Sequence, residues 1–336
     1  MNGSLIELSR VCTWFPYEKS PFGRTRSWIK AVDDVSLTIF RGECIGLVGE
    51  SGCGKSTLGR TILRLAPLHS GQIHFMGESI GDLENVQLKR FRAKMQMVFQ
   101  DPKASLNPKM TVFQILSEAL HLNERVGKEE YLEQAVRLLN LVDLRSEHIY
   151  RYPHEFSGGQ QQRISIARAL ATDPEFIVFD EATSALDVSV QAQIINLMGE
   201  LQEKFNLTYL FISHDLSIME HVCDRVAVMY GGQIVEVQEA AELFQFPRHP
   251  YTRALKSAVP VADPGAKHDL GILRGEVPKL SDPPSGCRFH PRCEFAEGLC
   301  EKEIPAVDET ATNSWVRCHF HERMWKQGSL TDRESL

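Results

Sequence analysis

The sequence predicts an α/β fold, a largely parallel sheet with helices on both faces. Three observations carry this. Five short apolar runs, "ECIGLVG", "MQMVFQ", "FIVFDEA", "LTYLFISH" and "DRVAVMY", are each bounded by polar residues or turns. They lack the alternation of a half-exposed strand and read as strands covered on both faces. Stretches with helical spacing lie between them, "KSTLGRTILRLA" being the first. The 336 residues suggest about two domains.

Between about Pro108 and His154, "VFQILSEALHL" and "YLEQAVRLLNLV" have helical spacing and no run reads as a strand. A helical subdomain is expected there, within about 101–160. After about Gln245 proline rises ("FPRHPY", "AVPVADP", "EVPKLSDPPSG") and periodicity fades. The division expected is 1–245 and a loop-rich extension, 246–336. Hydrophobic residues make up 43% and charged residues 24%, ordinary for a globular protein. The net charge of −7 carries no basic excess, so nucleic acid is not expected as a partner. The N-terminus shows no secretory pattern, and no apolar run reaches the roughly 18 residues of a membrane span. Any membrane role is expected to be peripheral.

"GESGCGKST", Gly49 to Thr57, fits G-x-x-x-x-G-K-[ST] between an expected strand and an expected helix. Its glycines let backbone N–H groups face phosphate oxygens, and the helix start adds positive potential. Lys55 is placed to bridge the β- and γ-phosphates and Ser56 to ligate Mg²⁺. Cys53, inside this loop, reads as a bystander, although a helix start can activate a thiol. "FIVFDEATSALD" runs an apolar strand into Asp180, suited to the Mg²⁺ shell, and Glu181, suited to polarise the attacking water. His214, after the next apolar run, is a candidate for the γ-phosphate or for holding the water and Glu181. "FSGGQQQRISIARAL" places a hydroxyl and two glycines at a helix start, a second anion-binding geometry. One nucleotide does not need two such sites in one chain, which suggests sites shared between subunits.

These strings together resemble the ATP-binding subunit of an ABC transporter. Gly49–Ser56 match its Walker A motif, Phe176–Glu181 its Walker B, and Ser157, Gly158, Gly159 and Gln160 its signature. Gln100 matches the Q-loop glutamine, Ser184–Asp187 the D-loop and His214 the switch histidine. The resemblance implies a P-loop NTPase: a RecA-like mixed, mainly parallel sheet with an N-terminal antiparallel β portion and an inserted helical subdomain. It implies catalytic roles for Glu181, His214 and Gln100. It assigns ATP contacts to Gly49, Glu50, Ser51, Gly52, Cys53, Gly54, Lys55, Ser56 and Thr57, to Gln100 and Asp180, and to Ser157–Gln160 and Asp187. Mg²⁺ would be held by Ser56, Gln100 and Asp180. Phe15 in "CTWFPY" is the choice for stacking on adenine, with Trp14 and Tyr17 as rivals. Two ATP would lie in a dimer that closes around them and opens after hydrolysis.

"FPRHPYTRALKSAVP", "ASLNPKMTV" and "SALDVSVQAQIINLM" are similar to the dipeptide, oligopeptide and nickel importer ATPases. "GESGCGKSTLGR" and the long N-terminal loop resemble the F-type subunit. The partners implied are a second, paralogous ATPase, two integral membrane permeases and an extracytoplasmic substrate-binding protein. The expected place is the cytoplasmic face of the inner membrane. A soluble ABC protein acting on DNA or ribosomes is the rival; one phosphate loop, one "SGGQ" and no long heptad run speak against it. A scaffold with vestigial nucleotide binding is disfavoured by intact Glu181 and His214.

Half of the eight cysteines lie in the tail: Cys287, Cys293, Cys300 and Cys318, separated by five, six and seventeen residues. Four thiolates suit a 4Fe–4S cluster or Zn²⁺. Paired C-x₂₋₄-C knuckles are absent, and the resembled subfamily carries a similar pattern that binds a 4Fe–4S cluster. The cluster is therefore expected, with Zn²⁺ as the alternative and His290, His319 or His321 as substitute ligands. Cys12, Cys44 and Cys223 read as core.

Overall fold

The computed structural model describes residues 3–19, 25–123, 125–184, 186–258 and 275–323. The chain divides into two compact units. One comprises Met1–Leu5, Ile39–Cys44 and Phe75–Ser213; the other comprises Ile6–Thr38, Ile45–His74 and His214–Leu336.

The first unit is built on three parallel strands, Met95–Val98, Phe176–Asp180 and Thr208–Ile212, with Phe176–Asp180 in the middle. The register sets Met95 beside Phe176 and Asp180 beside Ile212. Every residue of the last two strands is buried, which explains their unbroken apolar sequence. The region expected to be helical holds Pro102–Ser105, Val112–Leu120 and Tyr131–Leu141, and its described residues form no strand. Thr111 and Gln114 close a capping box at the second helix, their side chains meeting each other's N–H groups at 3.3 and 2.8 Å. That helix buries Val112, Ile115, Leu116, Ala119 and Leu120 against Tyr131–Leu141 and Gly158–Leu170. Helix Val188–Phe205 ends at Asn206 in the left-handed region, φ 50°.

In the second unit, strand Cys44–Val48 runs parallel to Arg225–Tyr230, with Ile45 beside Arg225. Gly231 and Gly232, at φ 55° and 83°, turn the chain into the antiparallel strand Gln233–Glu239. Two consecutive positive φ values make this a type I′ hairpin, which glycine adopts without a Cβ clash. The long strands Ser4–Lys19 and Thr25–Phe40 lie side by side in a separate sheet, the antiparallel N-terminal portion. Ser70–Phe75 adds to that sheet beside the first of them.

The tail has more regular structure than its sequence suggested. Strands Asp308–Ala311 and Ser314–Val316 form a hairpin turning at Asn313, φ 60°, and the second pairs antiparallel with Gln233–Glu239. The run is too short and too polar for periodicity to register, so its order comes from joining an existing sheet edge.

Candidate functional site

In the second unit, strand Cys44–Val48 delivers the chain to the glycine loop. Gly49, Gly52 and Gly54 take φ values of 154°, 78° and 111°. A Cβ on Gly49 would stand 2.1 Å from the Met229 carbonyl oxygen, and one on Gly54 2.0 Å from that of Ala31. Only glycine fits these two positions. Helix Lys55–Ile62 starts with Gly54 as its cap, a residue with no side chain to cover the first N–H groups. Such a start receives an anion. Lys55 is buried, and its Nζ donates to the carbonyl oxygens of Gly49 at 2.7 Å and Glu50 at 3.0 Å. Ser56 and Thr57 follow on the first turn, both half-buried, while Ser51 and Gly52 are exposed. Cys53 is enclosed. Burial pushes its thiol up, and the nearby Lys55 ammonium opposes this with the smaller effect. A helix start does not activate this thiol.

In the first unit, Asp180 ends its strand buried, and Glu181 follows with φ 48°, a left-handed conformation rare for a residue with a Cβ. The Glu181 N–H donates to the Ile212 carbonyl at 3.0 Å. Gln100, just past strand Met95–Val98, donates from Nε2 to Glu181 Oε2 at 3.0 Å and to Ser184 Oγ at 3.3 Å. Ser184 Oγ donates to the Glu181 carbonyl at 2.9 Å. The Q-loop and Walker B residues named from sequence thus meet. Asp187 caps helix Val188–Phe205, accepting the Val190 N–H at 3.0 Å.

The same unit holds the signature. Ser157 caps helix Gly158–Leu170, with its Oγ accepting the Gln160 N–H at 3.3 Å and Gln160 Oε1 accepting the Ser157 N–H at 3.1 Å. Ser157 is exposed, and Gly158, Gly159 and Gln160 are half-buried. A Cβ on Gly159 would lie 2.4 Å from Val190 Cγ1, so a larger residue would push the signature helix from its neighbour. In the second unit, exposed His214 precedes Asp215, which caps helix Leu216–Val222 through the Ser217 N–H at 3.0 Å.

Comparison with known proteins adds to these motifs. The ABC transporter family matches residues 32–184, and the oligopeptide/dipeptide transporter C-terminal region matches residues 235–300. The oligopeptide transport ATP-binding protein AppF of Bacillus subtilis is 49% identical over 321 residues, 95% of this chain and 98% of that protein. This chain belongs to the ATP-binding subunits of oligopeptide-type ABC transporters. Its activity is that of the family, ATP hydrolysis. A dimeric post-hydrolysis form of the ATP-binding cassette MJ0796 with ADP and Pi is 27% identical, covering 70% of this chain and 98% of that one at a TM-score of 0.62. The cbiO1 structure from Clostridium perfringens, part of the cbiONQ transporter complex, is 26% identical over 73% and 91% with the same TM-score of 0.62.

Within this ABC subunit the N-terminal aromatics differ in their commitments. Trp14 stacks on His69 at 4.3 Å between centroids, and its Nε1 donates to Asp33 Oδ1 at 2.9 Å. Phe15 is half-buried and Tyr17 is exposed.

Cys12, Cys44 and Cys223 are buried in the core, as their apolar settings predicted. Cys287, Cys293, Cys300 and Cys318 all line one enclosed cavity of about 20 Å³, together with His249 and Phe289. Burial pushes up the thiols of Cys287, of Cys293, to about 11, and of Cys318, to about 12. Among the described residues no three His, Cys, Asp or Glu side chains gather closely enough to hold a metal ion, so a preformed metal centre is not shown in the extension. Of the three histidines considered as ligands, His290 meets the Cys287 carbonyl at 2.9 Å, His319 that of Glu303 at 3.0 Å, and His321 the Asp308 carboxylate at 3.3 Å.

Sequence reading missed Tyr251, Arg288 and Arg292. Arg288 donates to the Gly231 carbonyl and pairs with Asp33. Their partners lie 57 to 255 residues away, which no local spacing announces.

Proposed function

We propose that this chain hydrolyses ATP to drive import of dipeptides or oligopeptides. The supporting observation is 49% identity with an oligopeptide transport ATP-binding protein across 95% of the chain, tail included. Import of nickel or another small solute is the alternative outcome. The working assembly pairs this F-type subunit with a second, paralogous ATPase and two membrane permeases. A substrate-binding protein delivers cargo from outside. The subunit sits peripherally at the cytoplasmic face of the inner membrane; no described helix is long and apolar enough to cross a membrane.

The roles follow the motifs. The Gly49–Thr57 loop and Lys55 bind the phosphates, and Phe15 stacks on adenine. Ser56, Gln100 and Asp180 would hold Mg²⁺, which would supply charge neutralisation at the phosphates. Glu181 takes the proton of the attacking water, and His214 keeps it in place. Ser157–Gln160 and Asp187 face the nucleotide carried mainly by the partner ATPase. The extension, residues 246–336, forms the subfamily's appendage to the nucleotide-binding part, residues 1–245.

All four cysteines line one cavity, which suits a group bound by all of them; at about 20 Å³ the void must widen to admit a 4Fe–4S cluster. His249 supports this fit. Its Nδ1 accepts the Tyr251 N–H at 3.1 Å, so the neutral ring carries its proton on Nε2, which is buried without a partner. A buried N–H on a residue that lines this cavity suits the sulfur atoms of a 4Fe–4S cluster.

Three measurements test the reading. Deleting the chain is expected to abolish uptake of labelled dipeptide, and the protein is expected to copurify with two permeases. Retained peptide uptake with lost nickel uptake would favour the alternative. Anaerobically purified protein is expected to be brown, with absorbance near about 400 nm and iron and sulfide in about equal amounts. Colourless protein with one zinc per chain would replace the cluster by Zn²⁺.

A further inference from the structure

The phosphate loop is held from outside the nucleotide motifs, by two residues of the C-terminal extension. The Glu50 N–H donates to Tyr251 Oη at 2.8 Å. The Glu50 carboxylate accepts a forked pair of bonds from Arg292, at 2.6 Å from Nη1 and 3.0 Å from Nη2. The Arg292 side chain is only 4% exposed and that of Glu50 22%, so this pair is largely withdrawn from water. Both tethers rest on one aromatic cluster. Tyr251 is fully buried, its ring 4.6 Å from that of Tyr230 and 5.5 Å from that of Phe289. Arg292 also reaches the Tyr230 hydroxyl, at 3.4 Å. Phe289 and Arg292 belong to the segment between Cys287 and Cys293, and Tyr251 is the second residue of helix Pro250–Ser257.

A loop with glycines at positions 49, 52 and 54 has many conformations to lose when it closes on phosphate. Binding strengthens when that loss is met beforehand by contacts within the protein. Glu50 is fixed at its backbone by Tyr251 and at its side chain by Arg292, so the loop segment joining Gly49 to Ser51 cannot rotate freely. A bidentate guanidinium–carboxylate pair also sets direction, which a single bond does not. We propose that Tyr251 and Arg292 are positioning residues for ATP: the extension braces the phosphate loop through Glu50 in its binding form. Nucleotide affinity then depends on the extension.

This inference rests on reading Gly49–Thr57 as the phosphate loop, and one experiment tests the two separately. MgATP affinity of the full-length protein is measured by calorimetry, alongside KM and kcat for ATP hydrolysis. Arg292→Gln is expected to raise Kd and KM about tenfold with kcat changed less than about twofold; Glu50→Gln is expected to raise Kd about as much, and the double variant to bind no more weakly than either single one. Tyr251→Phe keeps the packed ring, removes the acceptor oxygen, and is expected to raise Kd about threefold. Arg292→Lys, which retains charge but not the fork, is expected to recover part of the loss. Wild-type affinity in Arg292→Gln and Tyr251→Phe, or effects of Arg292→Gln and Glu50→Gln that multiply in the double variant, would overturn the brace. If Arg292→Gln fails to fold, Tyr251→Phe decides alone. Lys55→Ala leaves the Glu50 carboxylate untouched and is expected to lose MgATP binding; unchanged affinity there would overturn the phosphate-loop reading itself.

Discussion

Glu181 combines three constraints. Its φ of 48° is a conformation a carbon side chain resists, its N–H is held by Ile212, and its carboxylate accepts from Gln100. The backbone twist is sustained by the surrounding bonds. A carboxylate directed in this way suits a base whose proton transfer depends on aim. Glu181→Gln keeps an oxygen for the Gln100 bond and removes the basicity. Steady-state phosphate release is expected to fall about 10²–10⁴-fold, with MgATP affinity held within about threefold. Normal turnover would show that another group takes the proton. Glu181, Gln100, Lys55 and Ser157 were legible because each belongs to a short contiguous motif whose backbone demands specific residue types. Tyr251 and Arg292 were not, since their meeting with Glu50 spans 201 and 242 residues.

At the start of helix Pro250–Ser257 two buried ionisable groups pull stability in opposite directions. Glu236 accepts the N–H groups of Arg248 at 2.7 Å and His249 at 3.0 Å. Burial nevertheless raises its carboxyl to about 7. Its contribution to stability is full below the unfolded value near 4.5 and is lost as pH rises through about 7. Burial lowers His249 to about 3, so its contribution is full above about 6.5 and is lost as pH falls through about 3. Between about pH 4.5 and 6.5 the two slopes are equal and opposite, about 1.4 kcal/mol per pH unit each. Urea unfolding of the wild type is therefore expected to show no pH dependence from this pair across that window. Glu236→Gln is expected to leave stability rising with pH there, by on the order of 2 kcal/mol. A flat profile in the variant would remove His249 from the account. Apolar runs made the parallel strands readable, while the hairpin Asp308–Val316 was not, because its order depends on pairing with Gln233–Glu239.

At the scale of the whole molecule, the extension belongs to the same compact unit as the phosphate loop. Besides Tyr251 and Arg292, it gives Arg288 to Asp33, the Arg317 N–H to the Val235 carbonyl at 2.8 Å, and strand Ser314–Val316 to the sheet. A chain ending at Gln245 would leave Glu50 and Asp33 without these partners and the edge of strand Gln233–Glu239 open. Its thermal midpoint is expected to fall by at least about 10 °C, with aggregation, measured by scanning fluorimetry and light scattering. An unchanged midpoint would make residues 246–336 a separable module.

The sequence alone determined the parallel core strands, the helical region, the nucleotide motifs and the grouping of the tail cysteines. Each is written in local terms: an unbroken apolar run, a glycine where a Cβ has no room, or a polar residue where a helix begins. Tertiary structure decided the rest. It brought Gln100 to Glu181, gathered four distant cysteines around one cavity, and set Tyr251 and Arg292 against Glu50. These meetings depend on how the chain closes over long separations; the packed aromatic cluster of Tyr230, Tyr251 and Phe289 supports the last of them.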